Sequence, residues 1–230
     1  MVSTVHPATG VHDVGGADGW GRAPAPVPDE PVFAEEWEAH AFALALLSMR
    51  LSGTNLDAFR HAMSRLDRAE YFDDGYYGRW LHGAENLLSD SAIIAPGAVE
   101  ARAARLAGSS DVDEPPAPAT PAKPDYAATG PGSLRTVEAP RRFAAEQSVR
   151  SLDVEPAGHT RLPRYVRGRV GTVVMVQPAQ VLPDSHAHFT GENAQWVYTV
   201  RFASRTLFGP GAEEFDLNID LYESYLEAAE

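Results

Sequence analysis

The run Trp196-Val197-Tyr198-Thr199-Val200-Arg201-Phe202 alternates large apolar side chains with Val197, Thr199 and Arg201. A period of two places Trp196, Tyr198, Val200 and Phe202 on one face of a half-buried strand. Two neighbouring runs, 168–176 and 215–221, also read as strands, and Gly171 in the first allows a bend or bulge. Short strands separated by Gly and Pro suggest a small barrel or roll at the C-terminal end of the chain.

Upstream the period changes. Residues 33–49 are rich in Ala, Glu and Leu, and Phe33, Trp37, Ala41, Leu44 and Ala45 fall at helical spacing. Thr54-Asn55-Leu56-Asp57 resembles a capping box opening a second helix, with Leu56, Phe59, Met63 and Leu66 on one face. Arg60 sits beside that stripe, so its stem can pack while its head reaches the domain edge. A third helix is expected over 74–88, burying Tyr77, Trp80, Leu81, Ala84 and Leu88. A fourth, after Pro96, would bury Val99, Ala103 and Leu106. The expected fold class is therefore α+β. Its parts are an extended arm at 1–32, a helical domain at 33–107, a Pro/Ala-rich linker at 108–133 and a small β-barrel domain at 134–230. Gly and Pro dominate the arm, whose Val11, Val14 and Trp20 need another surface to cover them.

The chain is strongly acidic, with a formal charge of -13, which argues against general affinity for nucleic acid. It contains no cysteine, and so no thiolate metal site, cysteine nucleophile or disulfide of its own. No apolar run is long enough to span a membrane, and the start lacks the pattern of a signal peptide, so a cytoplasmic location is expected. Phosphate-binding Gly-rich loops, the Gly-x-Ser-x-Gly elbow and His-Glu-x-x-His are all missing. His186 and His188 beside Asp184 have the types of a zinc site, but no third ligand is evident nearby and a surface loop explains them. The acidic pairs Glu35/Glu36, Asp73/Asp74 and Glu213/Glu214 read as solvated surface, because adjacent helical residues point apart.

One cluster stands out against the acidic background. Gly158-His159-Thr160-Arg161-Leu162-Pro163-Arg164-Tyr165-Val166-Arg167-Gly168-Arg169 holds four arginines. A guanidinium is always charged and presents a planar fork suited to oxyanions. Three readings are open: surface arginines pairing with surplus acids, anion recognition at an interface, or an RNA-binding barrel.

Six segments, in order along nearly the whole chain, resemble the beta subunit of nitrile hydratase. They are Gly10-Val11-His12-Asp13-Val14-Gly15-Gly16 with Gly19-Trp20-Gly21; Glu36-Trp37-Glu38; Tyr76-Tyr77; Gly158 to Tyr165; Gly168-Arg169-Val170-Gly171; and Asp220-Leu221-Tyr222-Glu223-Ser224-Tyr225-Leu226-Glu227. The resemblance implies an arm wrapping a partner subunit, and a helical half joined to a C-terminal SH3-like barrel. It implies a lyase, active with its alpha subunit as a heterodimer or heterotetramer, that hydrates a small-molecule nitrile to the amide. No cofactor is expected on this chain alone and no metal ligand within it. The alpha subunit would hold iron(III) or cobalt(III) through a cysteine-rich loop with two oxidised cysteines.

By motif position, Arg60 and Arg161 look like the two family arginines that face the oxidised sulfurs. Phe42, Tyr76 and Trp80 look like the substrate-pocket residues, Tyr76 also offering a hydroxyl. The physical need for arginine there is plain. Oxidised sulfurs carry charge into an interface with little water, and breaking such a buried pair from one side costs about 3–5 kcal/mol. The nitrile carbon would be attacked by water or by the sulfenate oxygen, and the imidate would tautomerise to the amide. The partners implied are thus the alpha subunit and a nitrile, with no nucleic acid and no membrane. Two alternatives stand beside this reading. A thiocyanate hydrolase subunit would resemble the halves of this chain separately, and an RNA-binding SH3-like barrel would show binding that weakens steeply with salt.

Overall fold

The structure, a computed structural model, describes residues 10–16, 25 and 27–229. Gly19, Trp20, Gly21, Pro24 and Pro26 lie outside them. The chain forms two compact units, Pro24–Asp125 and a second built from Tyr126–Glu230 together with Met1–Ala23. The first is helical and the second is built on an antiparallel sheet.

The helical unit contains α1 (Glu36–Ser52), α2 (Leu56–Ser64), α3 (Arg68–Phe72), α4 (Gly75–Asp90) and α5 (Ala98–Leu106). Helix α1 packs on α4 through a seam of small residues, Ala41, Ala45, Ser48 and Ser52, all buried. Trp37 and Leu44, expected in the core, are exposed, as are Leu47 and Leu51. Helical periodicity marks two stripes here, and the small one is buried because it lets the helices approach closely. Helix α2 is capped by Asn55, whose side chain accepts the Ala58 N–H at 2.9 Å. The expected box starting at Thr54 is therefore displaced by one residue, and Asp57 holds Arg60 instead. Phe59 and Leu66 of the second stripe are buried, while Leu56 is exposed. Helix α3 was not expected, although Asp67 and Glu70 form a capping box across its first turn. On α5 the expected core residues Val99 and Leu106 are exposed and Ala101 is buried. The stretch after α5 is irregular but tethered. Glu114 pairs with Arg102 and Arg105, and the Ala122 N–H donates to Ser91 O at 2.8 Å.

The sheet unit contains β1 (Ser148–Ser151), β2 (Val170–Gln180), β3 (Gln195–Ala203), β4 (Asp216–Tyr222) and β5 (Leu226–Ala228), with short helices α6 (Pro183–His186) and α7 (Ser204–Phe208). All pairings are antiparallel, in the order β4-β3-β2-β1-β5. Tyr198, Val200 and Phe202 of β3 are fully buried, and Trp196 packs partly buried against the same core. The two edge strands, β4 and β5, are joined only by a 3₁₀ turn, Glu223–Tyr225. In a flat sheet four strand spacings would separate those edges by about 19 Å, whereas a 3₁₀ turn advances about 2 Å per residue. The sheet must therefore curl until its edges approach. No ladder joins β4 to β5, so the sheet stays open rather than closing as a barrel.

Gly171 was expected to permit a bulge, but it pairs regularly with Val149. The register shift in β2 lies between Val173 and Met175. A Cβ at Gly171 would come within 2.7 Å of both the Arg201 carbonyl oxygen and a Val200 methyl, so close strand approach is what requires glycine there. Gly171→Ala should destabilise the protein by about 1–3 kcal/mol, as overpacking does. Urea unfolding checks this, and an unchanged midpoint would refute it.

Residues 129–135 are tied to the loop after α6 by Arg135 and Glu192, a two-pronged ion pair at 2.7 and 2.6 Å. Thr129 adds its N–H and hydroxyl to the same carboxylate. The Arg135 hydrogen bonds hold Glu192 down to about 2 from an ordinary 4.5. A depressed folded-state pKa contributes stability that is present above the ordinary value and lost as pH falls through the folded one. The thermal midpoint of Glu192→Gln should therefore lie below that of the wild type at neutral pH. The gap should close as pH falls from 4.5 towards about 2, and a gap constant across that range would refute the role given to this pair.

Candidate functional site

Each unit carries its own set of the residues singled out above. In the helical unit, Phe42 of α1 and Tyr76 and Trp80 of α4 come together. Trp80 lies 5.5 Å from Phe42 and 5.8 Å from Tyr76, between ring centroids. Phe33 and Tyr77 extend this wall, with Tyr77 5.1 Å from Phe33 and 6.4 Å from Phe42. Phe42 and Trp80 are half-buried, while Tyr76 at the start of α4 is 57% exposed. Tilted and edge-on ring contacts of this kind stiffen a surface beyond what burial alone gives.

Phe59 of α2 packs edge-on against Trp80 at 5.5 Å. The next residue, Arg60, keeps a partly exposed guanidinium bonded to Asp57 at 3.0 Å. No motif marks Arg79, whose guanidinium stacks 4.4 Å over Tyr71 of α3 and lies 5.7 Å from Tyr76. Only the helical spacing of Tyr76 and Arg79 hints at it.

In the sheet unit the four clustered arginines separate by role. Arg167 is buried, its guanidinium bonding Leu162 O at 3.3 and 3.1 Å and Glu155 at 3.1 Å, with Asp13 3.7 Å away. Arg164 pairs with Glu155 at 3.6 Å. Arg161 is exposed between buried Thr160 and Leu162, and among the described residues no carboxylate lies within ion-pairing distance of its guanidinium. The reading in which all four pair with surface acids therefore finds no support at Arg161 among the described residues. Arg164 and Arg167 pair with acids, which argues against a continuous basic stripe for RNA among the described residues.

Side chains from distant positions grip the backbone around Arg161. The His159 N–H donates to His188 Nε2 at 3.1 Å, the Arg161 N–H to the Tyr225 hydroxyl at 3.1 Å, and the Leu162 N–H to Thr160 Oγ1 at 3.2 Å. The Arg164 N–H donates to both Asp13 carboxylate oxygens, at 3.2 and 3.0 Å. Tyr225 in turn donates to Asp184. His188 and Asp184, two members of the possible zinc trio, thus serve this loop, and among the described residues no three His, Cys, Asp or Glu gather as a metal site. Burial, with Asp184 beside it, raises the Tyr225 phenol well above its usual range, so its proton stays in place. Burial also lowers His12, against Asp13 and with help from Arg161, which keeps that neighbouring imidazole neutral. The arm residues are pressed closely on this unit. A Cβ at Gly15 would fall 2.4 Å from the Tyr165 ring, and one at Gly16 would fall 2.9 Å from Phe208.

Models of the nitrile hydratase beta subunit match the chain at both ends, the N-terminal model over residues 8–129 and the C-terminal model over 132–228. The chain belongs to the nitrile hydratase beta subunit family. It is 37% identical to nitrile hydratase subunit beta of Pseudomonas putida, over 96% of this chain and 99% of that protein. It is 34% identical to the cobalt-containing nitrile hydratase subunit beta of Pseudonocardia thermophila, over 95% of each. The thiocyanate hydrolase subunit alpha of Thiobacillus thioparus is 30% identical over only 38% of this chain and 72% of its own length. The likeness to nitrile hydratase beta subunits thus spans both units, while the likeness to thiocyanate hydrolase covers little more than a third of the chain. Among the described residues no helix is long and apolar enough to cross a membrane.

Proposed function

We propose that this chain is the beta half of a cytoplasmic nitrile hydratase, a lyase that adds water to a nitrile only when assembled with a cysteine-rich alpha subunit as a heterodimer or a pair of heterodimers. The observation that carries the reading is Arg161. It presents a guanidinium fork with no carboxylate partner among the described residues, on a loop whose backbone is held by side chains from four separate positions, 13, 160, 188 and 225. A fork so prepared loses little freedom on meeting an oxyanion.

The family's metal fits such an arrangement only if another chain holds it, because thiolate ligands are absent here. What the alpha subunit's iron(III) or cobalt(III) supplies is Lewis-acid activation. The cobalt-containing relative supports cobalt without excluding iron.

This chain's own residues orient and shield. Arg161 and Arg60 donate charge-assisted hydrogen bonds to sulfur oxygens of the oxidised cysteines and hold them in place with no proton to lose. Phe42, Tyr76 and Trp80 wall the nitrile's side chain, and the Tyr76 hydroxyl offers a hydrogen bond to a polar substrate atom. The exposed stripe of Trp37, Leu44, Leu47 and Leu51 on α1 supports a partner-covered face, since a row of large apolar residues at heptad spacing is costly in water. The arm at 1–32 would continue over the partner, and the curled, open sheet would be this chain's version of the family's SH3-like domain.

The test is reconstitution. Co-expression with a cysteine-rich alpha subunit should yield a complex that converts small nitriles to amides. A complex that hydrolyses thiocyanate and leaves nitriles untouched would instead favour the thiocyanate hydrolase reading, which the partial match supports.

A further inference from the structure

Arg161 can act as a clamp only if its loop is fixed, and part of what fixes it lies far from the arginine cluster. We propose that Tyr225, with Asp184 as its acceptor, is the positioning residue for Arg161. The inference rests on the reading of Arg161 as a clamp on the partner's oxidised sulfurs.

The geometry supports it in three ways. The Tyr225 hydroxyl accepts the Arg161 N–H at 3.1 Å and the Thr160 hydroxyl at 3.4 Å, and donates its own proton to Asp184. A phenol offers one donor and acceptor lone pairs, so these contacts occupy it and fix its orientation. The tyrosine is itself immobile. It is buried, packs edge-on against Tyr222 at 5.6 Å, and its carbonyl accepts the Leu152 N–H at 2.8 Å. Finally, burial alternates around Arg161, with Thr160 and Leu162 buried and Arg161 outward. The amides of His159 and Arg161 are both gripped, by His188 and Tyr225, so the outward direction of the Arg161 side chain follows from where Tyr225 holds the backbone.

The test uses the chain co-expressed with its alpha subunit. Tyr225→Phe keeps the ring and removes only the hydroxyl. It should raise amide hydrogen exchange over residues 157–163 by about fivefold or more while the β2–β3 ladder is unchanged. It should also lower kcat for nitrile hydration by about tenfold with KM altered less than about threefold, because a displaced clamp costs transition-state contacts. Asp184→Ala should loosen the same segment, and Asp184→Asn, which keeps an acceptor for the phenol, should reverse most of that loosening.

Unchanged exchange over 157–163 in Tyr225→Phe would overturn the proposal. So would loosened exchange with an unchanged kcat, provided Arg161→Lys is slow in the same complex. If Arg161→Lys is as fast as the wild type while exchange loosens, the reading of Arg161 fails first and the positioning role falls with it.

Discussion

Arg161→Lys, in the complex with the alpha subunit, should lower kcat for nitrile hydration by about tenfold or more, and Arg60→Lys should do the same. Lysine preserves the charge and much of the length, so an effect of this size reports the fork. A guanidinium donates two parallel hydrogen bonds to an oxyanion, whereas an ammonium is a compact, strongly hydrated point charge. The wild-type loop presents Arg161 with no carboxylate to compete for it among the described residues. Arg60 starts from a different position, since Asp57 holds it at 3.0 Å and must share it with any anion. Asp57→Asn should therefore act in the opposite direction to Arg60→Lys and leave the guanidinium freer for the partner. Steady-state kinetics on complexes matched for metal content would settle the matter. Wild-type kcat in both lysine variants would remove these arginines from the reaction.

How far the sequence predicted this arrangement depends on the kind of information involved. Strand β3 was legible because alternation is local, and Tyr198, Val200 and Phe202 are buried as their spacing required. Arg60 and Arg161 could be named as candidates because the motifs around them are contiguous. Burial on α1 was misjudged because Trp37 and Leu44 share the helical period with Ala41 and Ala45, and size favoured the wrong stripe. Only the position of α4 decides between them, and that is tertiary information. Gly171 was misread for a similar reason, since a close approach by β3 cannot be seen along a single strand. Helix α3 does carry a local signal, the capping box of Asp67 and Glu70, but five residues are too few to show helical periodicity. The grip of Tyr225 on Arg161 spans 64 residues and has no local signal at all. The short strands β1 and β5 were missed because runs of four and three residues carry too little periodicity to register.

Expressed without an alpha subunit, the chain should bind no stoichiometric iron or cobalt and form no amide from any nitrile. The complex with the alpha subunit should form the amide at full rate. The proposed centre is held by soft thiolates, and this chain has no cysteine to offer. The orphan chain should still fold. Its sheet unit holds a core of fully buried residues such as Val149, Val173, Tyr198 and Phe202, and its helical unit is closed by the small-residue seam of α1. Loss of activity in the lone chain would thus reflect a missing half of the site rather than unfolding, and circular dichroism would distinguish the two. The same logic locates the dependence on α1. Leu47 is 55% exposed in the free chain, so Leu47→Glu should leave its thermal midpoint nearly unchanged. If the α1 stripe is the partner's seat, that buried charge should cost at least about tenfold in assembly, read as lost co-purification of the alpha subunit and lost metal. Tight metal binding by the isolated chain would contradict the whole scheme, because it would place the reactive centre on the wrong subunit.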